Sequence, residues 1–395
     1  MDKEIVIVDG ARTPFGTFGG TLRDVEATDL AIVTAREALR RSCVEPDIID
    51  AVVLGNVVQS TGATAYIARH MGLAVGVPKE TPALVVNRLC GSGLQALVCA
   101  AQWLLLDEAE WVLAGGAESM STAPYVIKGA RWGLGLDGGK LEDALWHALV
   151  DPYRKTPMAI TAENVAAKYG LTREEVDDVA YTSQMRAKAA TEAGRLRDEI
   201  VPVPVPGRGG TTILFDKDEH VRGDTTMESL AKLKPRFKED GVVTAGNASG
   251  INDGAGMMVV TTMANARDRG LKPLGRIISW SAVGVDPDIM GMGPARAIPV
   301  ALKRAGMTLD QMDLIEVNEA FAAQYLGVER ELGLDRNKTN VNGGAVAIGH
   351  PLAASGARVV LTILYELRRR GKRYGVASLC IGGGQGIAAV VENLQ

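Results

Sequence analysis

Short, densely apolar runs alternate with amphipathic stretches at both ends of this chain. Residues 5–8, 51–54, 83–86 and 111–114 are compact runs rich in β-branched side chains, which predicts strands, while the apolar spacing over 28–41 and 93–106 predicts helices. The C-terminal part repeats the pattern. Strand-like 276–281, 314–317, 376–379 and 387–391 bracket helical 294–305, 320–332 and 352–370. Such alternation is the signature of an α/β layered unit.

The two ends share a register. Asp50 and Asp313 each open a strand, Ser92-Gly93 and Ser355-Gly356 each enter a long helix, and Trp111 and Tyr374 each start the next strand, at one offset (313 − 50 = 263, 355 − 92 = 263, 374 − 111 = 263). A shared register across three elements predicts a duplicated α/β half. The same offset sets Asn87 opposite His350 and Ala117 opposite Cys380, so equivalent ends of both halves face one region. Residues from about 122 to 249 break the pattern with a Pro-rich stretch at 201–210, a charged loop at 215–222 and helices of their own over 159–169 and 172–193. Thr172 and Glu175 have capping-box spacing at the start of the second helix. The expected organisation is an N-terminal half over 1–121 completed by 250–272, an inserted, lid-like loop unit over 122–249, and a C-terminal half over 273–395.

Composition narrows the function classes. At 395 residues, with 47% apolar, 23% charged and 5% aromatic positions, the chain exceeds one ordinary core and has the balance of a globular protein. A formal net charge of −4 argues against general attraction to nucleic acid or anionic membrane, so an anionic substrate needs local basic residues. No run is long and apolar enough for a membrane span. The four cysteines (Cys43, Cys90, Cys99, Cys380) form no CxxC pairs, which fits free thiols in a reducing compartment. The four histidines (His70, His147, His220, His350) form no HxxxH pattern, so no metal is expected. The N-terminus runs into a strand without an apolar signal or Arg-rich transit segment, which makes cytoplasmic residence the default expectation.

Four residues stand where chemistry is done. Cys90, in Asn87-Arg88-Leu89-Cys90-Gly91-Ser92-Gly93, lies between a strand and a helix, where unpaired N–H groups and the helix dipole favour thiolate. The alternative is a small buried apolar residue at a turn. His350 ends the glycine-flanked loop from Asn342 and precedes Pro351; it can activate a nucleophile and steady a thioester oxygen, although alone it reads as readily as a structural histidine. Cys380 precedes Gly382-Gly383-Gly384, whose N–H groups suit an oxyanion. Asn318 joins a strand to a helix, and its amide can orient a water or cap the helix.

Six segments, NRLCGSG, GGAESMS, GNASGINDGA, NEAFA, GGAVAIGHP and CIGGGQGIA, resemble the motifs of the thiolase family in their family order and span most of the chain. The resemblance implies the thiolase fold, two α/β halves forming a five-layer α-β-α-β-α sandwich with an inserted loop domain that binds coenzyme A. It implies that Cys90 carries the acyl group, that His350 activates it, and that Cys380 moves a proton on the α-carbon. One oxyanion site would come from His350 with a water held by Asn318, the other from the N–H groups of Cys90 and Gly382. Ser249, Arg222, Phe237 and Met158 match positions lining the coenzyme A tunnel, with Phe321 of NEAFA beside them. Coenzyme A thioesters are then substrates, no cofactor is permanently bound, and a homodimer or dimer of dimers is expected.

Two departures stand out. Ala353 replaces the usual glycine, and Pro157-Met158-Ala159 replaces the His-Met-Gly of many short-chain biosynthetic members, which removes the ground for strict acetoacetyl specificity. Cys43, Cys99, His70, His147 and His220 match no catalytic position. The competing readings are another acyl-cysteine condensing synthase, which lacks the second cysteine of CIGGGQG, and a non-catalytic lipid-binding descendant.

Overall fold

The computed structural model describes residues 3–136 and 138–395. Its main strands, in chain order, are β1 (Ile5–Arg12), β2 (Ala51–Gly55), β3 (Ala83–Val86), β4 (Trp111–Ser119), β5 (Asn252–Thr262), β6 (Gly275–Gly284), β7 (Leu314–Val317), β8 (Tyr374–Ile381) and β9 (Gln385–Asn393). The principal helices are α1 (Ala27–Ser42), α2 (Ile67–Ala74), α3 (Ser92–Leu105), α4 (Met158–Tyr169), α5 (Arg173–Glu192), α6 (Gly293–Ala305), α7 (Ala322–Leu332) and α8 (Leu352–Arg370).

The strands run in the order β7-β8-β9-β6-β1-β5-β4-β2-β3. Read outward from its middle, β1-β5-β4-β2 mirrors β6-β9-β8-β7, and each set has antiparallel pairs near the centre and one parallel pair outside. The two sets join through three residue pairs, Ile5 with Ile277, Val6 with Arg276 and Ile7 with Gly275. The repeat's side chains also do the same work in each half. Asp50 accepts from the backbone N–H of Trp111 at 3.1 Å, and Asp313 accepts from that of Tyr374 at 3.0 Å, so each aspartate fastens the start of its parallel neighbour.

Period-two alternation sends neighbouring side chains into different layers. Val112 and Ala114 of β4 join a core built on α3 and α8, while Trp111, Leu113 and Ala117 join one built on α1 and α2. In the other half Ile387, Ala389 and Val391 point to the same central core, and Ala388 and Val390 pack toward α6 and α7. The result is five layers, helices α1 and α2, sheet, helices α3 and α8, sheet, helices α6 and α7. Helix α8 is buried from Leu352 to Leu367 because sheets cover it on both sides.

The segment between the halves is not structureless. Helices α4 and α5 pack on the core of α6 and α7, and Thr172 with Glu175 closes both arms of the capping box. The Pro-rich stretch forms a hairpin, Val203–Pro206 against Thr212–Phe215. Arg12 of β1, fully buried, bonds Glu199 at 2.7 Å and Asp218 through both carboxylate oxygens, tying this segment to the sheet. Among the described residues no helix is long and apolar enough to cross a membrane.

Candidate active site

Helix α3 begins at Ser92, and the chain enters it through a tight turn in which Leu89 is left-handed, with φ of 46°. Ser92 holds that turn by donating from Oγ to the Leu89 carbonyl at 2.6 Å and accepting from the Arg88 N–H at 2.9 Å. Gly91 keeps the turn close to β8, because a β-carbon there would lie 2.6 Å from Ile381 Cδ1 and would have to push that side chain aside. Cys90, between them, lines a cavity of about 390 Å³.

His350 reaches the same cavity from the other half. Gly349 has φ of 108°, and a β-carbon on it would meet Asn252 at 2.6 Å. That asparagine of β5 accepts from the His350 N–H at 2.9 Å and donates to Gly16, so the histidine loop is anchored to the first half's sheet. The imidazole Nδ1 lies 2.6 Å from Ser355 Oγ and 3.4 Å from Asn318 Nδ2. Its Nε2 has no hydrogen-bond partner among the described residues.

The cavity also takes Gly382, Met158, Phe237, Ser249 and Phe321 into its wall, all expected from the sequence, and Pro157 beside them. Cys380 stands one layer behind, fully buried near the end of β8 and packed with Met290 and Ala320. Asn318 is likewise buried, touching the cavity only through His350. Arg222 lies outside this wall: it is exposed, and its backbone N–H bonds Gln184. The arginine at the wall is Arg236, next to Phe237. Met120, Trp146, Leu149, Met290 and Leu352 complete the apolar lining and were not legible, since no local pattern ties such scattered positions to one space.

Electrostatics correct one expectation. A helix start favours thiolate at Cys90, yet burial raises that thiol to about 11, outweighing the N–H groups of Gly382 and of Cys90 itself that face it. Burial and then the neighbouring Cys90 push Cys380 higher still. His350 is lowered to about 3 by burial and then by the Arg358 guanidinium, so imidazole and both thiols rest uncharged. An apolar chamber with a neutral thiol, a neutral imidazole and backbone N–H groups at its wall, and a second neutral thiol behind it, suits transfer of acyl groups from thioesters, where charge develops only during reaction.

Comparison with known proteins agrees with this geometry. Residues 5–264 match the family "Thiolase, N-terminal domain" and residues 271–393 match "Thiolase, C-terminal domain". The chain belongs to the thiolase family, acyltransferases that make and break carbon–carbon bonds of coenzyme A thioesters without a permanent cofactor. It is 52% identical over 392 residues to the mitochondrial 3-ketoacyl-CoA thiolase of Homo sapiens, covering 99% of this chain and 98% of that one. It is 49% identical over 395 residues to the beta-ketothiolase BktB of Cupriavidus necator, with 100% of each covered. The crystal structure of human mitochondrial 3-ketoacyl-CoA thiolase in complex with CoA superposes with a TM-score of 0.95 at 51% identity, covering 99% of this chain and 98% of that one.

These relatives overturn the expected cytoplasmic residence. Proteins 52% identical to this chain from three mammals are named as mitochondrial, so the default drawn from the N-terminal residues does not stand. That default rested on lacking a recognised signal, a weaker ground than likeness across the whole chain.

Proposed function

We propose that this thiolase condenses two acyl-coenzyme A molecules into a 3-ketoacyl-coenzyme A, and reverses that step by thiolysis, with the acyl group carried on Cys90. The observation that carries the reading is the meeting of Cys90, His350 and Gly382 in one apolar cavity with Cys380 directly behind it. In acylation Cys90 Sγ attacks the thioester carbonyl as its proton passes to His350, and coenzyme A leaves as the thiol by taking the proton of Cys380, which is left as the thiolate. In the condensing half-reaction Cys380 takes a proton from the α-carbon of the second acyl thioester, and the carbanion attacks the acyl carbon on Cys90. The N–H groups of Cys90 and Gly382 face the first developing oxyanion, and His350 Nε2, backed by Asn318, faces the second.

The segment 122–249 serves as the loop unit that closes the coenzyme A channel, with Ser249, Phe237, Met158 and Phe321 along it and Arg236 toward its charged end. Short to medium acyl chains are the expected substrates, because Pro157 stands where many short-chain members have histidine. A homodimer or dimer of dimers is expected as well. Edge strand β3 leaves Leu84 41% exposed, and the hairpin Tyr125–Ile127 against Leu141–Asp143 exposes a further apolar face.

Brief exposure to acetyl-coenzyme A, followed by intact mass and peptide mapping, tests the reading. The expected result is one acetyl group on Cys90. A label on Cys380, or none under single-turnover conditions, overturns the assignment.

A further inference from the structure

We propose that Ser355 is a positioning residue that, together with Asn318, holds His350 in the tautomer with its proton on Nε2, aimed into the cavity. The inference rests on the reading of His350 as part of the reacting site and adds what sets its proton. Which imidazole nitrogen carries hydrogen is decided by the bond the other one makes.

The contacts that set the ring run outward from a buried charge. Arg358 is fully buried and can only donate; its Nη1 pairs with Glu316 at 2.9 Å and its Nη2 bonds Asn318 Oδ1 at 3.3 Å. That contact fixes the amide, with its oxygen toward the guanidinium and its NH₂ toward His350. Asn318 Nδ2 therefore reaches Nδ1 at 3.4 Å as a donor, which requires Nδ1 to accept. Ser355 supplies the shorter contact, 2.6 Å from Oγ to Nδ1, and has 0% exposure. Its hydroxyl has no other hydrogen-bond partner among the described residues, and a buried O–H donor seeks an acceptor, so its hydrogen goes to Nδ1. Both neighbours thus present hydrogen to Nδ1, and the single ring proton stands on Nε2, the atom left unpartnered at the cavity.

This tautomer is a ready-made oxyanion donor and a poor base. For His350 to accept the Cys90 proton at Nε2, one proton must first leave Nε2 and one must join Nδ1. No net charge moves, and the Ser355 hydroxyl turns from donor to acceptor. Ser355 therefore sets the balance between the two tasks of one imidazole, favouring the carbanion step over acylation. The register gives it a counterpart, because Ser92 at the equivalent helix start holds the turn that carries Cys90.

The test is nitrogen-15 NMR of the full-length protein labelled at histidine; the chain has four histidines, and the His350 signals are those lost in His350→Asn. The expected wild-type pattern is a protonated Nε2 and an unprotonated, accepting Nδ1, with Ser355→Ala shifting the ring toward mixed tautomers and Ser355→Thr restoring it. In parallel, Ser355→Ala should slow exchange of acetyl methyl protons and condensation on the order of tenfold to a hundredfold while Cys90 acylates within a few-fold of wild type. A proton on Nδ1 in the wild type overturns the proposal, as does an unchanged tautomer with unchanged exchange in Ser355→Ala. If Ser355→Ala does not fold, the wild-type and Ser355→Thr spectra decide alone. The spectra report the tautomer whether or not Cys90 acylates, so this proposal and the proposed function can fail separately.

Discussion

Gly356 of α8 meets Gly93 of α3 where the central helices cross, and a β-carbon on Gly356 would lie 2.2 Å from the Leu94 nitrogen and 2.9 Å from the Gly93 carbonyl carbon. The reverse holds as well, since one on Gly93 would lie 2.3 Å from the Ala353 carbonyl oxygen. The two glycines occupy equivalent places in the repeat. Each lies within the first turn or two of its helix, just past the loop that carries Cys90 or His350, so backbone contact here draws both loops to one cavity.

Gly356→Ala should therefore lower stability by about 1–3 kcal/mol, the usual range for forcing a methyl into a filled interior. Thermal or urea unfolding measures it. Gly62→Ala is the control, because nothing lies within 4 Å of a β-carbon there. Equal behaviour of the two variants would show that the helix crossing yields freely.

Cys380→Ser should separate the two thiols. The variant should still acquire an acetyl group on Cys90 but lose most exchange of acetyl methyl protons with heavy water and nearly all condensation. Wild-type exchange in this variant would remove Cys380 from the proton-transfer step.

Alkylation should report the buried thiol. Burial raises Cys90 from 9.0 to about 11, so at pH 8 the free enzyme holds roughly a hundredfold less thiolate than an unshifted thiol would. Inactivation by iodoacetamide should keep rising about tenfold per pH unit to near pH 10. Stability changes in the same range: the neutral thiol's contribution is complete below pH 9.0 and is lost as the pH rises toward 11, where the unfolded chain ionises first. A rate that levels off by pH 8 would mean that backbone N–H groups outweigh burial.

Substrate range should be broader than acetoacetyl thioesters. Pro157 lies in the wall with Met120, Leu149 and Met158, leaving apolar room where a polar ring stands in many short-chain members. Each added buried methylene contributes up to about 0.8 kcal/mol, enough to offset a modest loss of fit. Thiolysis of 3-ketopentanoyl- and 3-ketohexanoyl-coenzyme A should proceed with kcat/KM comparable to acetoacetyl-coenzyme A. A hundredfold drop on adding one methylene would show that other residues close the pocket.

The sequence disclosed elements wherever local periodicity and burial agree. Residues 314–317 and 352–370 match β7 and α8 end for end, because apolar density and helix-forming side chains point the same way. Strand β5 was hidden: Asn252-Asp253-Gly254 has loop chemistry, yet the strand is buried along its whole length between sheet neighbours. The site divides along the same line. Cys90, His350 and Gly382 sit in loops with their own local signature, whereas Met120, Trp146 and Met290 reach the cavity only through tertiary packing. The choice between Arg222 and Arg236 depends on how an exposed loop lies over the sheet. The ionisation of Cys90 failed for a related reason, since a helix start is local and desolvation is not.

The mirrored order of the strands bears on how the chain came to own one site instead of two. Asn87 and Ala117 hold the places equivalent to His350 and Cys380, so the repeat duplicates the scaffold without duplicating the acid–base groups. One lobe presents a thiol, and its twin presents the imidazole and the other thiol. The polypeptide is thus a tethered pair of unlike partners, and neither copy can drift, be lost or be expressed alone without dismantling the reaction centre they share.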